Sequence, residues 1–208
     1  MLFRSVAAYH TVVEDYQSNV VSSLETAAIR SYPSNIPEVQ VQGVEVDFAA
    51  SLFDGFKLRA SLAYADGENT DYPAGPCPLE VQTANTVACN LTGVPLAGLS
   101  ELSGSLGFDY QRTMGDGAFT LHWVTNSRDG YNSDTSGSQY TQIDGFSVTN
   151  ASVGYRFARG WELDLFARNL FDEEYITALT IQTGNSGLIL GQAGEPRTVG
   201  LTFRFAKN

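Results

Sequence analysis

The side chains able to do chemistry are few. His10 and His122 are the only histidines, and Cys77 and Cys89 the only cysteines. Acid–base work needs a histidine beside a carboxylate, which His10 could find in Glu14 or Asp15 and His122 in Asp129. Neither pairing comes with a nucleophile activated by its base, so no catalytic reading follows. A metal site needs a second His or Cys at ligand spacing, which neither histidine has. Each is read as a satisfied wall or rim residue, and no cofactor or enzymatic activity is expected. The Gly-rich stretches do not cradle phosphate, because none follows a strand and opens a helix. Cys77 and Cys89 are twelve residues apart in a segment rich in Pro, Gly, Thr and Asn. Such a pair points to a disulfide in an oxidising compartment, with two free thiols as the alternative. Asn90-Leu91-Thr92 and Asn150-Ala151-Ser152 match the glycosylation pattern.

The elements that hold these residues must suit an unusual composition. Across 208 residues, 12 Lys and Arg oppose 23 Asp and Glu, a formal charge of −11. Nucleic acid is excluded as a partner, because phosphate contacts need clustered cations. Charged residues make up 17% of the chain, against about 25% in ordinary soluble domains, while Gly and aromatics run high. No stretch approaches the roughly 18 apolar residues of a membrane-spanning helix, so any membrane role must use strands. The opening M-L-F-R-S-V-A-A-Y-H has no apolar h-region. That leaves a cytosolic address, or a front end lying outside the chain.

The dominant period is two. Phe56, Leu58, Ala60, Leu62 and Tyr64 alternate with Lys57, Arg59, Ser61 and Ala63. Leu102, Leu106, Phe108 and Tyr110 oppose Ser103, Ser105 and Asp109, and Val199, Leu201, Phe203 and Phe205 oppose Thr198, Thr202 and Arg204. Eight antiparallel strands are expected near 3–16, 37–53, 55–66, 99–112, 116–130, 145–158, 160–176 and 196–205. Short turns at 53–55, 114–117 and 158–160 alternate with long polar connections near 17–36, 66–98, 131–143 and 182–195. One end of the sheet is therefore trimmed and the other carries large loops. A turn centred on Arg159 sets Tyr155 against Leu163, Val153 against Leu165 and Arg156 against Glu162. One centred on Asp54 sets Phe48 against Ala60 and Ala50 against Leu58. Val39 and Val41 fall out of step with Val44, Val46 and Phe48, and Gly43 at the switch is read as a bulge.

Periodicity alone cannot say what the apolar face meets. A soluble barrel or sandwich turns it inward, whereas an outer-membrane barrel turns it to lipid around a polar lumen. Short turns against long loops, strands able to cross about 25 Å, and aromatic residues near strand ends (Tyr64, Tyr110, Tyr131, Trp161, Tyr175) favour the membrane. Glu45, Asp47, Lys57, Arg59, Arg156, Glu162, Asp164, Arg168 and Arg204 would then line the lumen as a salt-bridged wall or a resting surface for a plug. Tyr72, Tyr131 and Tyr140 would offer aromatic platforms in the loops.

At 168–175 the chain reads R-N-L-F-D-E-E-Y, after the alternating W-E-L-D-L-F-A, and later comes G-E-P-R-T-V-G-L-T-F-R-F. This pairing resembles the carboxy-terminal end of TonB-dependent outer-membrane receptors. There, N-L-F-D-x-x-Y lies in the penultimate strand and P-R precedes the last. V-Q-G-V-E-V-D-F (41–48) and L-A-G-L-S-E-L-S-G-S-L-G-F-D-Y (96–110) resemble further strands of the family in order. Asn169, Leu170, Phe171, Asp172 and Tyr175, with Pro196 and Arg197, carry the match. They are expected to shape strand ends and not to touch substrate.

The resemblance implies a 22-stranded barrel with a plug in its lumen and a TonB box that couples uptake to the energised inner membrane. It implies import of ferric siderophores, cobalamin, haem or some carbohydrates. The whole chain, 1–208, would be a partial all-β, antiparallel barrel domain in the bacterial outer membrane, equivalent to the last eight strands. Its partners would be outer-membrane lipid, the rest of the barrel and the plug, with TonB reached only through the parent. Plug and TonB box are not read in it, so a fragment is expected, and A-K-N runs past Phe205 where such proteins commonly end on an aromatic. The alternatives are an autonomous eight-stranded barrel and a soluble ligand-binding β-barrel.

Overall fold

A computed structural model of the chain describes residues 2–22, 30–83, 88–158, 160–182 and 188–205. The expected turn centre at Arg159 and the A-K-N tail lie outside them. Twelve strands form: β1 (Leu2–Ser22), β2 (Arg30–Phe53), β3 (Phe56–Asp71), β4 (Leu102–Met114), β5 (Gly117–Arg128), β6 (Tyr131–Asn132), β7 (Gln142–Ile143), β8 (Phe146–Arg156), β9 (Trp161–Arg168), β10 (Ile176–Ile181), β11 (Ile189–Ala193) and β12 (Thr198–Phe205). Eight of them make one antiparallel sheet in the order β1-β2-β3-β4-β5-β8-β9-β12. β6 with β7 and β10 with β11 make two small ribbons within the long connections. Among the described residues β1 and β12 do not pair with each other, so the sheet is open.

The register sorts side chains as the alternation requires. One row across the whole sheet reads Ala50, Leu58, Phe108, Trp123, Ala151, Ala167, Val199. A row on the opposite face reads Asp47, Ser61, Ser105, Asn126. The apolar face is bare: Leu62, Leu106, Leu165 and Leu201 are all exposed. At the short-turn end it carries an aromatic band, with Phe53 stacked on Phe56 at 4.8 Å, Tyr155 against Phe157 at 4.7 Å and Trp161 against Phe203 at 4.9 Å. The turn at Gly55 needs glycine. Its φ is +81°, and an added Cβ would strike the Gln111 carbonyl.

Four expectations need correction. The connection placed near 17–36 is mostly strand, because the β1–β2 ladder continues to Ser22 and Arg30. Gln17, Ser18 and Asn19 pair there with Asn35, Ser34 and Pro33, so the apolar alternation fades while backbone pairing persists. A tilted crossing takes only about 9–11 residues, and β1 has 21, so the hairpin extends well beyond one crossing. β3 likewise runs to Asp71, inside the loop expected from residue 66. Gly43 is no bulge: Tyr9, Gly43 and Ala65 stay in register, and the shift falls between Glu38 and Val39. Glycine is used there for space, since a Cβ would lie 2.6 Å from the Tyr9 hydroxyl. Finally, the strand expected over 160–176 stops at Arg168.

Val39 and Val41 explain the apparent slip. They share the inner face with Glu45 and Asp47, and Val39, 1% exposed, belongs to a cluster with Ile36, Tyr72 and Leu91. Cys89, Val94 and Leu96 pack against it. The connection between β3 and β4 thus folds onto the inner face of β2 and β3, and that is where the apolar core lies.

Candidate functional site

The histidines do not assemble a reactive centre. His122 Nδ1 lies 2.7 Å from Asp109 Oδ1, not against Asp129, and the Arg59 guanidinium pairs with the other Asp109 oxygen. The Asp129 backbone is occupied instead, donating to the Leu102 carbonyl at 2.8 Å and accepting from the Ser100 hydroxyl at 2.8 Å. His10 sits on β1 opposite Gln42, and Glu14 opposite Glu38. Among the described residues no group of three or more His, Cys, Asp or Glu could hold a metal ion.

The inner wall is ionic. Glu162 accepts from Arg156 Nε at 3.1 Å and from Arg204 Nη1 at 2.7 Å, and Arg204 also reaches Asp164 at 3.2 Å. Neighbouring strands β8, β9 and β12 are thereby cross-braced, with Arg168 set over the Phe166 ring at 5.9 Å. Glu45 and Asp47 line a hollow on the same face with Tyr9, Ser61 and Ser105. Lys57 follows the same inward parity as Arg59, opposite Asp109.

The R-N-L-F-D-E-E-Y segment is a corner, and its residue types follow from the backbone. Asn169 and Asp172 have φ of +47° and +60°, conformations that Asn and Asp tolerate better than other non-glycine residues. Asn169, 2% exposed, is the hub. Its Nδ2 donates to the carbonyls of Glu173 (2.8 Å) and Glu195 (3.0 Å), and its Oδ1 accepts the Glu173 amide (2.8 Å). Asp172 accepts the Arg197 amide at 3.2 Å and pairs with its guanidinium at 3.2 Å, tying the end of β9 to the start of β12. Leu170 donates to the Thr149 carbonyl at 2.7 Å. Phe171 turns to the apolar face and meets Trp123 edge-on at 5.9 Å. Tyr175 turns the other way, onto Phe146 at 4.4 Å, where Gly194 leaves room for its ring. Pro196 lies beside this junction, its carbonyl accepting the Thr198 hydroxyl at 3.3 Å. Tyr175 is therefore no lipid-facing girdle residue, and neither is Tyr131, which is buried among the loops.

The long connections form a bonded layer. Cys77 and Cys89 are joined, with Cα atoms 4.9 Å apart, and Gly75 and Cys89 exchange backbone hydrogen bonds beside the bridge. Of the three tyrosines expected as platforms, Tyr72 is in the apolar cluster and Tyr131 is capped by Arg128 at 3.9 Å. Only Tyr140 is open, 49% exposed. Glu80 bridges two connections: its carboxylate accepts from the Ser138 hydroxyl at 2.7 Å and the Gln139 amide at 3.0 Å. Partial burial would raise the Glu80 carboxyl, but those two hydrogen bonds and one from its own backbone amide together hold the group below its ordinary range. Sequence reasoning missed Glu80. The nearest signal was the turn-rich run N-S-D-T-S-G-S, whose Asn132, Asp134 and Ser136 side chains each accept backbone amides two residues on.

An open antiparallel sheet with a bare apolar face, an aromatic band at its trimmed end and an ionic inner wall is the wall of a membrane β-barrel. The model of a family described as TonB dependent receptor-like, beta-barrel, matches residues 3–170. The chain belongs to that family of receptors. No curated protein matches it. Among solved structures, 98% of the chain overlays 27% of the ferric yersiniabactin uptake receptor FyuA from Yersinia pestis, with a TM-score of 0.74 and 17% identity. The siderophore receptor PiuA from Acinetobacter baumannii gives 98% and 26%, TM-score 0.70 and 17% identity. The copper transporter OprC gives 98% and 28%, TM-score 0.66 and 20% identity. At these identities the likeness concerns the fold, and the chain spans about a quarter of the length of the receptors it matches. Family and neighbours are receptors and transporters, not enzymes.

Proposed function

We propose that the chain is the carboxy-terminal eight-stranded part of a TonB-dependent receptor barrel in the bacterial outer membrane, whose parent takes up a ferric siderophore. The observation that carries the reading is the open sheet: both edges lack a partner among the described residues, while nearly all of the chain overlays about a quarter of a siderophore receptor. Unpaired edges are costly in a bilayer, and the remaining strands of the parent would satisfy them. In this reading the long connections face outward from the cell and the short turns face the periplasm. Lipid covers the apolar face and the plug rests on the ionic wall. The loops contact the ligand, and TonB acts only through the parent. Yersiniabactin and siderophore receptors among the neighbours support an iron complex as cargo.

The test starts with the coding DNA on both sides of the chain, followed by expression of the complete frame in cells lacking their own siderophore receptors. TonB-dependent uptake of a labelled ferric siderophore is expected. A frame that encodes only these residues, whose product migrates as a compact, heat-modifiable monomer on a gel, would overturn the reading in favour of an autonomous closed barrel. A product that stays monomeric in water without detergent would overturn the membrane assignment itself.

A further inference from the structure

Three segments at the long-connection end are bonded to one another in series. The first, the described residues 72–83 and 88–101, is fixed to the sheet by the cluster of Ile36, Val39, Tyr72 and Leu91 and closed by the Cys77–Cys89 bridge. The second, Asp129–Gly145, touches the first through Glu80 and through the Gly98 amide, which donates to the Asn132 carbonyl at 2.7 Å. Arg128, at the end of β5, holds the same seam through Gly98 and Ser100. The third, the β10–β11 ribbon, hangs on the second. Ser133 Oγ donates to the Leu179 carbonyl (2.6 Å) and accepts the Leu179 amide (2.9 Å), and the Tyr131 hydroxyl donates to the Thr177 carbonyl (2.7 Å). From the ribbon the chain passes through Glu195, held by Asn169, into β12.

We infer that these three connections form one coupled lid, with the Glu80 carboxylate, beside the Gly98–Asn132 bond and Arg128, forming the joint through which its anchored part holds the other two. The inference rests on the receptor reading for its purpose: a ligand contact on any one segment would be felt by all three and by the β9–β12 corner. Its mechanics stand on geometry alone. The first segment has an apolar core and a covalent bridge, so it cannot yield. The second is held internally by hydroxyls with no access to water: Ser138 and Thr141 are 0% exposed. Its seam with the first contains one carboxylate that accepts two hydrogen bonds at once. Charge-assisted bonds of this kind are about twice as strong as neutral ones. Among its described residues the ribbon has no buried apolar cluster of its own, and Ser133 and Tyr131 bond it to the second segment. Loosening the joint should therefore release the second segment and the ribbon together and leave the first in place.

Hydrogen exchange read by mass spectrometry on the full chain, in membranes of the cells that express it, tests this. Glu80→Ala is expected to speed exchange about tenfold over 133–141 and over 176–182, with 72–78 and 88–94 unchanged. Glu80→Gln, which keeps one acceptor oxygen, should give the same pattern at smaller amplitude and serves if the alanine variant does not assemble. Ser133→Ala should loosen 176–182 only. Faster exchange confined to 79–82, or a ribbon indifferent to Glu80 while 133–141 loosens, would overturn the coupling. Because the readout is exchange, coupling without uptake by the complete frame would sink the receptor reading alone, and uptake without coupling would sink this inference alone.

Discussion

The sheet and the layer of connections above it solve opposite burial problems with the same chain. In the sheet, Leu62, Leu106, Leu165 and Leu201 stay exposed on one face while Asp109, Glu162 and Asp164 line the other. In the layer, Leu91 and Ile143 go inside with Ser138 and Thr141, packed where the layer meets Ile36 and Val39 of β2, as in a small water-soluble domain. The difference shows where the hydrophobic effect operates. In the receptor reading proposed above, it assembles the connections, whereas the apolar face of the sheet is left for lipid to cover. Within the sheet, cohesion comes from the backbone ladder and ionic cross-bracing.

The largest test of that contrast is a charge placed on one face or the other at adjacent positions. Leu106→Arg faces lipid and should cost up to about 4 kcal/mol near the bilayer centre, whereas Ser105→Arg faces the inner wall and should cost little. Urea unfolding in lipid vesicles measures both, and equal costs would mean that the apolar face does not meet lipid. Next comes the corner joining the two regions. Asn169→Ala removes three hydrogen bonds from a side chain that is almost fully buried and leaves alanine at φ +47°, so about 3 kcal/mol is expected. The same unfolding experiment applies, and a loss well below 1 kcal/mol would show that the corner is held by Asp172 and Arg197 instead.

The two regions differed equally in how far they could be read beforehand. Sheet order and register follow from period two: Tyr155 opposite Leu163 and Phe48 opposite Ala60 are as the alternation demands. Where strands leave the apolar band the signal fades, because Gln17, Ser18 and Asn19 need no hydrophobic face to keep pairing. Val39 and Val41 misled for a related reason. Their partners are Leu91, Leu96 and Leu99 in a distant connection, which a local pattern cannot reveal. The motif residues were read as strand-end shapers, but that Phe171 would face Trp123 and Tyr175 would face Phe146 depends on two left-handed residues at the corner, Asn169 and Asp172. Glu80 was invisible, since its partners lie 58 and 59 residues on.

Reducing the connection layer without touching the sheet gives the next effect. Replacing Cys77 and Cys89 together by serine opens a loop with a sequence separation of 12, and chain-entropy arguments put the loss at about 2 to 3 kcal/mol. Because the bridge lies within one connection, the loss should appear as faster protease clipping over 72–91, with the sheet unfolding at an unchanged urea midpoint. A shift of that midpoint as large as Leu106→Arg produces would mean that layer and sheet unfold as one unit.

The smallest effect is the most specific. Partial burial pushes the Glu80 carboxyl up, but the hydrogen bonds from Gln139, Ser138 and its own backbone together hold it below its ordinary value of 4.5. A group depressed in the folded state stabilises it fully above the unfolded pKa and loses that contribution as pH falls through the folded one. No cation is paired with Glu80 among the described residues, so protonating the carboxylate acts by weakening the hydrogen bonds it accepts. Exchange over 133–141 should therefore be slow and flat from pH 7 down to about 4.5, after correction for intrinsic rates, and rise below it as the joint protonates. Glu80→Gln should abolish the rise while leaving the sheet's own acid response intact. A rise that persists in the glutamine variant would assign the acid sensitivity to a group other than Glu80.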